Sequence, residues 1–289
     1  MSTKINKELL QKQGYLIVHN VLTPEEVERA KAAFYDWKKT IPNIERFHNA
    51  CDPHGIFKHH EVGQQWHAWY IRTRAGVRKV FEELWDTTEL VTGFDGTGYI
   101  PQLLTKRDNC WTHTDQAPNK KGVHCYQGVV ALTTNSERTL VVYEGSNNLH
   151  EAYCKEKGLT GTKNWAKIDP VYLKTMQDKK RTLTIPAGSM AIWDSRTFHQ
   201  NQYGKPASEE RVVQYVCMLP KDSQLNTKAM QKKRRKYFDE RRTTSHWPYP
   251  LTVNGKQPQT YGDDSKRIDY DTLRKPALDD LMTEIDKLL

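Results

Sequence analysis

Between Tyr99 and Leu219 the chain runs as short apolar stretches cut by turn residues: GYIPQLL, QGVVALT, TLVVYEG, RTLTIPAGS, MAIWD and RVVQYVCML. Short runs rich in β-branched and aromatic residues read as strands. They carry no helical period between them, apart from an insertion over residues 151–180. Strands in such a series close as an antiparallel sandwich or a double-sheet jelly roll. The expected fold is therefore an all-β core with flanking helices, a double-stranded β-helix of the cupin-like kind. We expect one domain over residues 1–289, with a strand and helix region at 1–94, the jelly-roll core at about 95–220 and a helical extension at 221–289.

The flanking helices carry their own signals. YLIVHNVL at 15–22 reads as a buried strand, and Thr23-Pro24-Glu25-Glu26 then opens a helix with a cap, a proline at its first position and a capping box. Val27, Ala30, Phe34 and Trp37 fall on its buried face. Residues 40–74 read as irregular chain rich in His and aromatics, suited to loops over a pocket. A second helix is expected over about Val77–Val91, and a last one in which Leu278, Leu281, Met282, Ile285 and Leu289 share a face that docks on the core.

Composition narrows the function classes. At 289 residues and 37% hydrophobic content a sizeable core can form. The N-terminal residues lack a basic start followed by an apolar run, and no stretch of 18 apolar residues occurs, so the reading is a soluble, cytoplasmic protein with no membrane partner. The five cysteines, Cys51, Cys110, Cys125, Cys154 and Cys217, are odd in number and never spaced C-x-x-C, which points away from a disulfide framework and a structural zinc site. Of the net charge of +9, residues 221–242 supply nine Lys/Arg against three Asp/Glu. Within that stretch the 228–242 segment, with KKRRK beside Tyr237, Phe238, Arg241 and Arg242, raises nucleic-acid binding as an alternative, since phosphates need clustered cations and bases need exposed aromatics. A solvated helix face is the plainer reading.

The chemistry centres on CWTHTDQAP, residues 110–118. If 111–115 is extended, His113 and Asp115 project from one face and reach one ion. MAIWDSRTFHQN supplies a distal His199 after a strand and a polar turn. Two histidines and one carboxylate occupy one face of an octahedral Fe(II) and leave positions open for substrate and oxygen. The next strand begins with Arg211, which shares a side with Val213, Tyr215 and Cys217. A buried guanidinium beside an open iron site suits a dicarboxylate that chelates metal at its other end, a description that 2-oxoglutarate meets. Singly, His113 reads as a core histidine, Asp115 as a turn former, His199 as a surface residue and Arg211 as half of a salt bridge. Their order on consecutive strands selects the site. A rival pair, His59-x-Glu61, has no such strand after it and reads as a loop feature.

With these residues in view, the chain over roughly 14–219 resembles the phytanoyl-CoA dioxygenase family of iron and 2-oxoglutarate dependent oxygenases. GYLIVHNVLTPEEVERA is similar to that family's opening strand and helix, WTHTDQ to its tryptophan-led His-x-Asp, and QGVVALT, LVVYEGSNNLH, IPAGSMAIWDSRTFHQN and ERVVQYVCML follow in the family's order. The resemblance implies metal ligands His113, Asp115 and His199, with Arg211 on the distal carboxylate of 2-oxoglutarate and Gln127 and Asn201 as polar contacts to the cosubstrate. It also implies Fe(II), O2 and a hydroxylation that releases succinate and carbon dioxide, since Asp115 fills the position that a halogenase leaves open for halide. The family's Gly-Ser-His is here Gly145-Ser146 followed by Asn147-Asn148-Leu149-His150, in a loop expected to border the pocket. A small-molecule substrate is expected, and an acidic one suits the basic surface. A nucleic-acid-modifying oxygenase and a ligand-binding barrel without activity are the other readings.

Overall fold

The computed structural model describes residues 4–289. Its strands are β1 (Tyr15–Val18), β2 (Ile56–Phe57), β3 (Leu90–Thr92), β4 (Thr97–Ile100), β5 (His113–Thr114), β6 (Tyr126–Ala131), β7 (Leu140–Tyr143), β8 (Ala166–Lys167), β9 (Lys180–Thr182), β10 (Met190–Asp194), β11 (His199–Asn201), β12 (Arg211–Val216) and β13 (Met218–Pro220). One sheet runs β1-β10-β6-β12-β4-β2 and a second β8-β5-β11-β7-β9, and β13 pairs with β3; every pairing is antiparallel.

The two-residue period of the strands sorts the core. Val129 and Ala131 of β6, Ala191 and Trp193 of β10, and Val213 and Tyr215 of β12 face the second sheet, where they meet Leu140 and Val142 of β7. Their alternates Val130, Met190, Ile192, Val212 and Val216 turn the other way and pack under helices. The first sheet is thus buried on both faces, which is why RVVQYV and MAIWD read as near-continuous apolar runs.

The helices are α1 (Lys7–Gln13), α2 (Pro24–Lys39), α3 (Ile44–Cys51), α4 (Trp66–Thr73), α5 (Ala75–Trp85), α6 (His150–Glu156), α7 (Pro170–Lys174), α8 (Lys228–Asp239) and α9 (Met282–Leu288). In α2 Thr23 and Glu26 form the reciprocal capping box, and Val27, Ala30, Phe34 and Trp37 are buried. In α9 Ile285 and Leu288 are buried, with Leu281 just before the helix and Leu289 packed beside them.

Three expectations change. The first strand stops at Val18, because the chain reverses through Asn20 in the left-handed region (φ 56°). The second helix ends at Trp85 with Asp86 left-handed at its C-terminus, and Leu90–Thr92 becomes β3 against β13. Residues 40–74 hold α3 and α4 rather than irregular chain. In α4 His67, Ala68, Trp69, Tyr70, Ile71, Arg72 and Thr73 are all buried, so no polar face marks the helical period.

The basic helix is exposed over most of its length and anchored through one buried arginine. Arg234 is fully buried, donating to Asn226 Oδ1 (2.8 Å) and to the carbonyls of Leu289 (3.0 Å) and Pro248 (3.1 Å). Arg235 pairs with Asp286 and Arg241 with Glu61. Tyr237 and Phe238 are partly buried against the main core. All five cysteines are free thiols. No helix among the described residues is long and apolar enough to cross a membrane.

Candidate metal centre

The second sheet brings the two histidines together. His199 of β11 is the register partner of His113 of β5, so their rings stand side by side with centroids 4.4 Å apart. Asp115 follows β5 and is fixed by its N–H on the Ser195 carbonyl (2.9 Å), in the turn between β10 and β11, and the Thr114 hydroxyl donates to the same oxygen (2.9 Å). Its Oδ2 then lies 3.4 Å from His113 Nε2 and 3.3 Å from His199 Nε2. None of the three is more than 6% exposed. Among the described residues this is the one group of His, Cys, Asp and Glu whose ligand atoms all lie within 4.8 Å of one another.

Each imidazole is oriented through its other nitrogen. His113 Nδ1 meets the Trp111 carbonyl (3.2 Å) and His199 Nδ1 the Thr197 carbonyl (2.9 Å). A carbonyl only accepts, so both Nδ1 atoms carry the proton and both Nε2 atoms turn a lone pair toward Asp115 Oδ2. Burial holds the His113 pKa below its ordinary value against the pull of Asp115. Burial alone would raise the Asp115 pKa. The closeness of His113, His246 and His199 outweighs it, and the carboxyl stays well below its usual range. Two neutral imidazoles and one carboxylate are the donor set that a divalent cation takes.

Arg211 lies at the start of β12 and is fully buried. Its Nη2 meets Asn201 Oδ1 (3.1 Å) and the Tyr215 hydroxyl (3.4 Å), both uncharged, while Nε and Nη1 have no partner among the described residues. Asn201 in turn donates to the Tyr215 hydroxyl (2.5 Å). Gly98 on β4 makes the room: a Cβ there would stand 2.7 Å from Arg211 Nη1 and 2.7 Å from Val213 Cγ2. Gln127, the other expected polar contact, lines the cavity over this centre. Its Nε2 donates to Asp115 Oδ2 (2.9 Å), and its Oε1 is buried without a partner.

A cavity of about 560 Å³ opens over this centre, lined among others by Gln127, Asn201, Tyr215, Trp111, Trp165 and Trp193. The 151–180 insertion contributes Lys163, Asn164 and Trp165. The His-rich stretch mostly does not. His48 is bonded to Asp52 and to the Tyr99 carbonyl, His67 to Thr97, and only His54 approaches the site by stacking on Trp111 (3.6 Å). Glu61 of the rival pair is engaged by Arg241 (2.8 Å). The 145–150 loop leaves the cavity too, because Asn147 and Asn148 donate to the Gln11 carbonyl at the end of α1. Sequence reasoning missed Asp95, Trp193, Ser245, His246 and Asn254 on the cavity wall, and Trp247, whose Nε1 donates to the Asp115 carbonyl (3.2 Å). Four of these six sit in the segment 245–254, which carries no local signal beyond its prolines. Tyr215 was legible only as sharing a side with Arg211.

Solved structures share this arrangement of antiparallel sheets with flanking helices. GlcNAc Inducible Gene 2 of Candida albicans superposes with a TM-score of 0.65 at 14% identity, over 97% of this chain and 74% of that one. HygX from Streptomyces hygroscopicus, crystallised with nickel and 2-oxoglutarate, gives 0.53 at 11% identity over 76% and 88%. EctD from S. alaskensis, crystallised with 2-oxoglutarate and 5-hydroxyectoine, gives 0.52 at 14% identity over 74% of each chain. These likenesses concern the fold. In sequence, Ava biosynthesis cluster protein O of Aspergillus versicolor is 24% identical over 238 residues, 74% of this chain and 77% of that protein. No family model matches the chain.

Proposed function

We propose that the protein is a non-haem Fe(II)- and 2-oxoglutarate-dependent dioxygenase of the phytanoyl-CoA dioxygenase type. In this reading it is a cytoplasmic, single-domain double-stranded β-helix that hydroxylates a small molecule. The observation that carries the reading is the pairing of one buried His-Asp-His set with a buried arginine that has no anionic partner among the described residues. A guanidinium desolvated in this way needs an anion, and a carboxylate offers it two parallel charge-assisted bonds. The unpartnered Nε and Nη1 of Arg211, and the space left by Gly98, fit such a group. The neighbours crystallised with 2-oxoglutarate and the relative named from a biosynthesis cluster support the same class and a small-molecule substrate.

His113 and His199 would hold the metal through Nε2, and Asp115 would neutralise one of its charges. When bound, Fe(II) with 2-oxoglutarate and O2 would supply the oxidising chemistry, with succinate and carbon dioxide as coproducts. Asn201 and Tyr215 hold the Arg211 guanidinium in place. Gln127 fixes Asp115 through its amide, and Trp247 does so through the backbone. The tryptophan walls limit water around the reacting carbon. Succinate formation from 2-oxoglutarate should require Fe(II), disappear in Asp115→Ala and demand far more cosubstrate in Arg211→Met. Unchanged turnover in both variants would remove the assignment.

A further inference from the structure

The cavity wall carries an acidic side chain with no ion-pair partner among the described residues, Asp95. The C-terminal segment is zipped onto the chain before β4: Phe94 N–H donates to Thr244 Oγ1 (2.9 Å) and Thr244 N–H to the Phe94 carbonyl (2.9 Å). Gly93 allows the close approach, since a Cβ there would stand 2.4 Å from the His246 carbonyl. The zipper sets Asp95 and His246 on the cavity wall. Arg72 (2.7 Å) and Gln214 (3.2 Å) donate to the Asp95 backbone carbonyl and fix its position. The Asp95 carboxylate itself receives the Gly96 N–H (2.7 Å) and enters no ion pair among the described residues. His246 Nε2 is buried without a partner. The β4–β12 ladder puts Asp95 beyond Tyr215, whose N–H meets the Gly96 carbonyl, at the far end of β12 from Arg211.

A partly buried carboxylate with no ion-pair partner among the described residues is costly, and the same cavity is lined by Trp111, Trp165 and Trp193. A cavity that offers a carboxylate on one side and indole rings elsewhere suits an ammonium group carried on an aromatic body. Of the two lysines on the lining, Lys163 is exposed and stands over the Trp165 ring, at 5.9 Å, while Lys58 enters no ion pair among the described residues. We infer that the substrate is a small aromatic amine whose ammonium group pairs with Asp95 and hydrogen-bonds toward His246, over the proposed metal centre. This deepens the oxygenase reading and rests on it.

The test uses the full chain loaded with Ni(II) and 2-oxoglutarate, titrated by calorimetry with tryptamine and with N-acetyltryptamine, which has the same ring and no charge. Tryptamine should bind at least tenfold more tightly. Asp95→Asn should abolish that preference and Asp95→Glu retain it, while His246→Ala weakens tryptamine with the preference intact. Equal affinities, binding of neither probe, or a preference that survives Asp95→Asn because Lys58 already occupies the carboxylate would overturn the inference. If Ni(II) and 2-oxoglutarate fail to load, the oxygenase reading falls. The amine preference is then read on the unloaded protein, where the same three outcomes decide it.

Discussion

Replacing Arg211 with methionine separates a binding arginine from a structural one, because the two roles predict opposite effects on the ligand-free protein. Without a ligand, Nε and Nη1 are buried and unsatisfied, and each such group costs about 1–3 kcal/mol. Methionine removes that cost and leaves Asn201 Oδ1 short of one donor, although Asn201 keeps its bond to Tyr215. The ligand-free variant should therefore be no less stable than wild type by more than about 1 kcal/mol. The cosubstrate loses two charge-assisted bonds of about 1.5–3 kcal/mol each, which at about 1.4 kcal/mol per decade weakens 2-oxoglutarate at least about 100-fold. At a concentration 100 times the wild-type Kd, the ligand stabilises wild type by about 2.7 kcal/mol and the variant by about 0.4 kcal/mol. Denaturant unfolding with Ni(II), with and without 2-oxoglutarate, reads both numbers. A variant that is several kcal/mol less stable without ligand, yet keeps the full ligand-induced gain, would refute the reasoning.

Gly98→Ala should displace the Arg211 head group by steric contact alone and weaken 2-oxoglutarate by about tenfold or more, read by the same titration. His67 is fully buried against Phe34, and burial, aided by the Arg72 charge, lowers its pKa to about 3 from 6.5. The unfolded chain takes up this proton below pH 6.5 and the folded chain does not, so its contribution is intact above 6.5 and lost as pH falls toward 3. By pH 5 the loss is about 2 kcal/mol, and His67→Gln should flatten the stability curve by one proton over that window. Arg234→Ala should cost about 3 kcal/mol or more in urea unfolding because two buried acceptors and one part-buried acceptor lose their donor, whereas alanine at nearby Lys232 should change stability by less than about 0.5 kcal/mol.

The part of this site visible in the sequence is the part that strand alternation encodes. His113 and Asp115 share a face because they are two apart. Arg211 and Tyr215 share another for the same reason, so a period of two carries side chains from the letters into the cavity. What stayed hidden depends on contacts between distant segments. Asp95 becomes a wall residue only because Thr244 zips onto Phe94, and nothing local to HWPYP announces that. The histidines of 48–70 misled for the converse reason: an imidazole with both nitrogens engaged, as in His48, is core material, and sequence does not reveal the partner. The basic run behaved likewise, since Arg234 points inward to carbonyls that arrive from residues 248 and 289.

The most direct measurement is a crystal grown without oxygen, soaked with Fe(II) and 2-oxoglutarate and read by anomalous scattering at the iron edge. One peak should lie within bonding distance of His113 Nε2, Asp115 Oδ2 and His199 Nε2, with cosubstrate density running from it to Arg211. Iron bound elsewhere, or cosubstrate that leaves Nε and Nη1 of Arg211 unpaired, would contradict the proposed centre.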